Sequence, residues 1–156
     1  MKLVFQLTGS LVKHALDIYD EAETLVYKVR SKNLMFGAKS SITDASDNEL
    51  AQIKQRVGLT YNYDIFKGDD KIANIKKKTV SVTPKFTISG LDWKLEGKFL
   101  TRQYTIKGEA GQMIAEIGKQ GLLQGGGYEC DIVDPTADPL IVVALVSAID
   151  IAAMQK

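Results

Sequence analysis

Apolar and polar residues alternate with a period of two over much of the chain. Tyr61, Tyr63 and Ile65 fall on one face of a predicted strand. Asn62 and Asp64 fall on its other face. This alternation is typical of a β-strand that buries one face and exposes the other. The same pattern recurs in three further segments: Trp93–Glu96, Tyr104–Lys107 and Tyr128–Ile132.

Three segments repeat the order apolar, Ala, polar, Ile, and each follows a strand-like run and a turn-rich patch. The segments are Leu50–Ile53, Ile72–Ile75 and Ile114–Ile117. A strand, a tight turn and a second strand are the signature of a β-hairpin, so the repeats predict three hairpins of an antiparallel meander. The Ala and Ile of each repeat are expected to point inward, towards something bulky. The stretch Lys13–Glu23 fits either a further hairpin or a short helix.

The C-terminal segment has a different pattern. Asp138 is a good helix N-cap and Pro139 a good first helical residue. From Leu140 to Met154 the only polar residues are Ser147 and Asp150. A helix that is apolar nearly all round needs burial on all sides. Because a bilayer span needs about 20 apolar residues, we expect a buried helix and no transmembrane segment.

The length that precedes this helix sets the number of strands. Residues 1–138, at roughly 10–12 residues per strand and turn, supply about twelve strands. Eight strands make a barrel that its own side chains fill, so enclosing a helix needs more. The sequence therefore predicts one domain over residues 1–156, a mainly β fold in which an antiparallel barrel of about twelve strands encloses a central C-terminal helix. An open sheet that covers one side of the helix is the alternative.

Composition narrows the class of protein further. The 156 residues include 20 Lys and Arg against 19 Asp and Glu, a net charge of +1. This balance argues against a nucleic-acid partner bound through overall charge. The single cysteine excludes a disulfide framework and a Cys-based zinc site, and the apolar run at the N-terminus is too short for a secretory signal. We therefore expect a cytoplasmic protein without a cofactor.

The chain offers little for catalysis. Cys130 lies on an inward-facing position between two acidic residues, which indicates a structural thiol rather than a nucleophile. His14 is the only histidine, and no Gly-x-Ser-x-Gly elbow accompanies it. Gly125–Gly127 precedes a strand rather than a helix, so it is interpreted as a turn and not as a phosphate loop. We expect no enzymatic activity.

A calcium site built on Asp131, Asp134 and Asp138 is the one metal hypothesis. Calcium takes six to eight oxygen ligands, usually from closely spaced residues around a glycine turn. Asp138 already serves as the predicted helix cap, and Asp131 falls on the outer face of a strand. We therefore expect no metal site.

Lysines are concentrated between residues 67 and 85, where Asp69 and Asp70 are the only acidic residues. Clustered lysines close to an anionic membrane contribute about 1 kcal/mol each. A solvated strand edge, on which lysine discourages aggregation, is the alternative. The apolar run Leu34–Phe36 is either a membrane-inserting tip or part of a buried strand. The candidate ligand-binding residues are Lys67, Lys71, Lys76, Lys77, Lys78 and Lys85.

An ordered set of short motifs resembles the LURP-one-related family. The most specific match is Gly90–Phe99, and Gly127–Ile132 followed by the apolar helix completes the set. Near the N-terminus, Ile18–Val29 and Ile42–Lys54 are similar to the first strand pair and the second hairpin of that family.

The resemblance implies the tubby C-terminal-like fold, in which twelve strands surround a central hydrophobic helix. Tubby proteins and phospholipid scramblases share this fold. Tubby proteins bind phosphoinositides and scramblases act at membranes with calcium, but no residue of either site is carried over to this chain. We expect a binding protein whose partner is an anionic phospholipid headgroup at a membrane surface or, alternatively, another protein.

Overall fold

The structure is a computed structural model that describes residues 1–8, 14–34, 37–57, 61–80, 83–119 and 127–154. Twelve strands precede one helix, as the sequence predicts. The strands are β1 (Lys2–Leu7), β2 (Ala15–Tyr19), β3 (Leu25–Leu34), β4 (Gly37–Thr43), β5 (Glu49–Gln55), β6 (Asn62–Lys67), β7 (Asp70–Val80), β8 (Thr83–Ser89), β9 (Trp93–Lys98), β10 (Gln103–Gly108), β11 (Met113–Gly118) and β12 (Tyr128–Ile132). The helix, α1, spans Pro139–Met154.

All twelve strands form one antiparallel sheet that curls into a nearly closed barrel. Its order runs from β8 back to β1 and then through β12 to β9. Strands β8 and β9 are therefore the two edges, with no described ladder between them. The aromatic rings of Phe86 and Phe99 meet edge-on across this seam, with centroids 4.9 Å apart. The predicted barrel, rather than the open sheet, is confirmed.

Helix α1 fills the barrel. Asp138 caps it, since its carboxylate accepts a hydrogen bond from the Leu140 main-chain nitrogen at 3.0 Å. Every residue from Val142 to Asp150 is buried, including the polar side chains of Ser147 and Asp150. Burying one large aliphatic side chain contributes about 1.5–3 kcal/mol, so this helix and the wall that it contacts form the main source of stability.

The three predicted hairpins are present as β4–β5, β6–β7 and β10–β11. The Ala and Ile of each repeat point inward and are buried, as expected. The prediction that Tyr61 belongs to the same strand as Tyr63 and Ile65 is wrong. Tyr61 precedes β6 with a φ of 65°, because the chain turns there before the strand begins. The undecided stretch Lys13–Glu23 contains strand β2 and the turn that follows it; Lys13 lies outside the described residues.

The alternation of strand direction gives the barrel two distinct ends. At one end, where α1 begins, six connections lie: β2–β3, β4–β5, β6–β7, β8–β9, β10–β11 and β12–α1. We call this the helix-start end. At the opposite end, the strands surround the last turn of α1. We call this end of the barrel the helix-finish end. The two ends differ sharply in charge.

Candidate anion-binding surface

Acidic residues dominate the helix-start end. Its six connections contain ten Asp and Glu residues and no Lys or Arg. The acidic residues are Asp20, Glu21, Glu23, Asp44, Asp47, Asp69, Asp92, Glu109, Asp134 and Asp138.

Several of these carboxylates build the turns in which they lie. Asp20 accepts hydrogen bonds from the main-chain nitrogens of Ala22 and Thr24, at 2.9 and 3.0 Å. Asp44 likewise accepts hydrogen bonds from the main-chain nitrogens of Ser46 and Asn48, at 2.9 Å each. Asp and Asn are favoured at such positions because a short acceptor can replace a main-chain turn bond. The Asn48 side-chain amide also donates to the Asp44 carboxylate, and this bond contributes most to lowering the pKa of Asp44, followed by the main-chain bond from Asn48.

Basic residues dominate the helix-finish end. Arg56, Arg102 and Lys119 lie in its connections, and Lys98 is the last residue of β9. Among the described residues of the connections at this end there is no Asp or Glu. The net charge of +1 therefore conceals a strong separation of charge along the barrel axis.

Three of the predicted lysines lie together towards the helix-finish end. Lys76, Lys78 and Lys85 are exposed on the outer faces of β7 and β8. Lys78 and Lys85 are directly opposite each other in the β7–β8 ladder. Within the described part of the chain, no carboxylate oxygen lies within 4 Å of their ammonium groups. We call these three residues the β7–β8 lysine patch.

Lys77 has a different role. It shares the inward parity of Ala73 and Ile75 on β7 and is half-buried. Its ammonium group donates to the Ala152 carbonyl at 3.1 Å and lies 4.5 Å from the Tyr61 ring centroid. A cation at the last carbonyls of a helix is favourable, and burial lowers the pKa of this lysine. The period of two along β7 is the sequence signal that places Lys77 on the inner face and its neighbours Lys76 and Lys78 on the outer face.

Lys67 and Lys71 lie near the helix-start end and are not brought together with the other lysines. The Lys67 ammonium lies 3.2 Å from the Asp138 carboxylate, beside the start of α1. The Lys71 ammonium lies 3.3 Å from the Asp64 carboxylate, which Arg56 also contacts at 3.0 Å. Closeness in sequence was misleading here, because β7 carries the chain along the barrel from one end to the other.

A buried ionic cluster closes the interior at the helix-finish end. The Asp150 carboxylate, on α1, contacts His14 Nε2 and Arg102 Nε, each at 2.7 Å. Burial raises the pKa of Asp150, but its bonds to His14 and Arg102 outweigh that effect and hold the pKa below its usual value. The Arg102 guanidinium also lies 5.1 Å from the Tyr128 ring centroid. Sequence patterns marked Asp150 as a polar interruption of the helix, but no pattern identified its partners.

Cys130 is buried on the inner face of β12, as predicted. Burial, with a further contribution from Asp131, raises the pKa of its thiol to about 12. The thiolate is therefore scarce at neutral pH, and the thiol is a poor nucleophile there.

The three aspartates of the calcium hypothesis have separate partners. Asp131 lies 4.0 Å from the N-terminal ammonium group, and Asp134 accepts hydrogen bonds from Thr136. Asp138 caps α1. In the described ranges no group of three or more His, Cys, Asp or Glu residues is arranged to hold a metal ion. Met35, Phe36, Gly125 and Gly126 lie outside the described residues, so the predictions for the apolar tip and the glycine turn stay predictions.

No helix among the described residues has the length and apolar character required to cross a membrane.

The fold defines a class: a twelve-stranded antiparallel barrel whose core is one C-terminal helix. The model of the LURP-one-related family matches residues 1–150, and the chain belongs to that family. An uncharacterised Bacillus subtilis (strain 168) protein, YxjI, is 31% identical over 140 residues, which cover 88% of this chain and 85% of that protein. An X-ray structure of an Arabidopsis thaliana protein superimposes with a TM-score of 0.67 at 15% identity, covering 96% of this chain and 90% of that one. This likeness supports the fold.

Proposed function

We propose that the protein binds anionic phospholipid headgroups at a membrane surface through the helix-finish end of the barrel. The observation that carries this proposal is the separation of charge between the two ends. Ten acidic residues and no basic one occupy the connections at the helix-start end, whereas exposed lysines cluster towards the other. A protein of net charge +1 has little overall attraction to an anionic surface, but the basic end of the barrel is attracted to such a surface.

The separation is long enough to matter. Helix α1 has 16 residues and so extends about 24 Å along the barrel. At physiological ionic strength the Debye length is only about 8 Å. A membrane that touches the helix-finish end is therefore attracted by the nearby lysines, while repulsion from the acidic end is screened.

The β7–β8 lysine patch is suited to this contact. Lys76, Lys78 and Lys85 are exposed, and the fold does not use their ammonium groups in ion pairs among the described residues. At about 1 kcal/mol for each lysine near an anionic surface, the three together contribute about 3 kcal/mol, or roughly a hundredfold in affinity.

The test is co-sedimentation with phosphatidylcholine vesicles that contain phosphatidylserine, at low salt and at about 0.15 M salt. We expect the protein to bind, more weakly at the higher salt concentration. The variant K76Q/K78Q/K85Q should lose about a hundredfold in affinity.

A matched control removes the same charge elsewhere. In K67Q/K71Q/K107Q the net charge also falls by three, but the lysines lie at or near the helix-start end and have carboxylate partners. This variant should keep most of its binding. Equal loss in both variants would show that only net charge matters. No binding at low salt would overturn the proposal and favour the alternative of a protein partner.

A further inference from the structure

A second set of lysines forms a row across three neighbouring strands. In the registers of β3–β4 and β4–β5, Lys32 is opposite Lys39, and Lys39 is opposite Lys54. The buried residues Val29, Ile42 and Ile53 fix the inner faces of these strands, so the row lies on the outer wall. Lys32 and Lys54 are exposed and Lys39 is half-buried. We call these three residues the β3–β5 lysine row.

Such a row is unfavourable by itself. Neighbouring strands are about 4.8 Å apart, and like charges directly opposite each other destabilise a sheet. Within the described ranges, no carboxylate oxygen lies within 4 Å of the three ammonium groups. The Lys54 ammonium is 5.0 Å from the Phe66 ring centroid, a contact that does not neutralise its charge.

The two carboxylates closest to the row along the sheet are occupied by other partners. Glu49 accepts hydrogen bonds from Ser41 and Gln52, each at 2.9 Å. Asp64, opposite Lys54 in the β5–β6 ladder, pairs with Arg56 and Lys71. Lys39 and Lys54 also help to lower the pKa of Glu49, after its hydrogen bonds to Gln52 and Ser41, so this carboxylate offsets part of the charge at longer range. One carboxylate beside three lysines leaves the row with an excess of positive charge.

Another facing lysine pair shows how the fold balances such a contact elsewhere. Lys94 and Lys107 are opposite each other in the β9–β10 ladder. There, Glu96 lies beside the pair and its carboxylate contacts the Lys107 ammonium at 3.0 Å. In the β3–β5 row, Glu49 acts on Lys39 and Lys54 only at longer range, and none of the three lysines has a described carboxylate oxygen within 4 Å.

We propose that the β3–β5 lysine row is a binding site for a phosphomonoester group. Three ammonium groups spread over about two strand spacings, roughly 10 Å, can converge on one small anion with their long, flexible stems. A phosphomonoester carries a charge of about −1.5 to −2 at neutral pH and offers three terminal oxygens, one for each lysine. A phosphodiester has a single charge and two free oxygens, so it fits the row less well. The site goes beyond the proposed membrane contact and does not require it.

The first test is thermal unfolding at constant ionic strength, with sodium chloride replaced stepwise by inorganic phosphate. We expect the melting temperature of the natural chain to rise by about 3–6 °C when phosphate reaches ten times its dissociation constant. The rise should be absent in Lys39→Gln. Without phosphate, this variant should melt close to the temperature of the natural chain, because the substitution removes two repulsive contacts together with the attraction between Lys39 and Glu49.

Two further variants keep the test decisive. Lys32→Gln changes an exposed side chain and should also abolish the response, even if the half-buried Lys39 proves sensitive to replacement. Lys94→Gln removes one lysine of the balanced pair and should respond to phosphate as the natural chain does. If phosphate does not raise the melting temperature of the natural chain, the proposal is overturned. It is also overturned if the rise persists in both Lys39→Gln and Lys32→Gln.

The source of the phosphomonoester is decided by comparing vesicles of equal surface charge that contain either phosphatidic acid or phosphatidylserine. A preference for phosphatidic acid that is lost in Lys39→Gln would indicate a lipid headgroup. A phosphate response without that preference would indicate a free phosphorylated compound. Because the phosphate assay contains no membrane, its outcome is independent of whether the β7–β8 lysine patch binds vesicles.

Discussion

The two ends of the barrel use their charged residues in different ways. At the helix-start end, Asp20, Asp44 and Asp134 accept hydrogen bonds from the turns that contain them, and Asp138 caps α1. Towards the helix-finish end, Lys76, Lys78 and Lys85 project from the wall without such partners among the described residues.

This difference separates charge that folding requires from charge that it does not. The acidic residues have a local structural reason for their positions, since short acceptors stabilise tight turns and helix starts. The exposed lysines have no such reason, and two of them face each other across a ladder. The proposed membrane contact would give them one, and the alternative is the protection of an edge strand, since Lys85 lies on β8 at the edge of the sheet.

The largest expected effect comes from the interior of the helix-finish end, where charge is required. Asp150→Ala leaves the half-buried Arg102 guanidinium without its carboxylate. Removing one member of a buried ion pair costs about 3–5 kcal/mol, so the free energy of unfolding should fall by that amount. Urea denaturation of the natural chain and the variant measures the difference. A loss below about 1 kcal/mol would show that the cluster is not a structural anchor.

The same cluster predicts a dependence on pH. Because His14 and Arg102 hold the folded-state pKa of Asp150 below its unfolded value of about 3.9, ionised Asp150 stabilises the fold above that pH. This contribution is lost as the pH falls through the folded-state pKa. Urea denaturation from pH 6 downwards should therefore show a smaller acid-induced loss in Asp150→Asn than in the natural chain. Parallel curves for the two proteins would contradict the assignment.

At the helix-start end we expect a smaller effect from Asp138→Ala. The substitution removes the N-cap of α1 and the Lys67 contact, and loss of an N-cap typically costs about 1 kcal/mol. Asp138→Asn is the matched control, since asparagine retains a capping oxygen and should recover most of the loss. If both variants are as stable as the natural chain, the cap is not needed by this buried helix.

The smallest expected effect sharpens the contrast between the ends. Lys78→Gln should change the free energy of unfolding by no more than about 0.5 kcal/mol, in either direction, because its side chain is exposed and faces Lys85. The same denaturation experiment measures it. A loss above about 1 kcal/mol would assign this lysine to the fold and weaken the argument for a partner.

Local patterns were sufficient to predict the fold. The period of two and the three hairpin repeats predicted the antiparallel strands, the length of residues 1–138 predicted their number, and the apolar segment after Asp138 predicted the enclosed helix. The alternation along β7 also predicts that Lys77 points inward, with Ala73 and Ile75. This was missed because Lys77 was grouped with the neighbouring lysines as one cluster. The partners of Asp150 could not be predicted, because Arg102 and His14 approach it from distant connections of the barrel. The lysine row across β3, β4 and β5 likewise depends on the register between strands.

The central claim, that the helix-finish end faces the membrane, has a direct test. Cys130 is buried with a thiol pKa of about 12, so a fluorophore can be attached selectively to an introduced surface cysteine. The single substitutions Thr101→Cys and Ala110→Cys place the label at exposed positions of the helix-finish and helix-start ends, respectively. On anionic vesicles with nitroxide-labelled headgroups, we predict strong quenching of the label at residue 101 and little at residue 110. Equal quenching, or stronger quenching at residue 110, would contradict the claim.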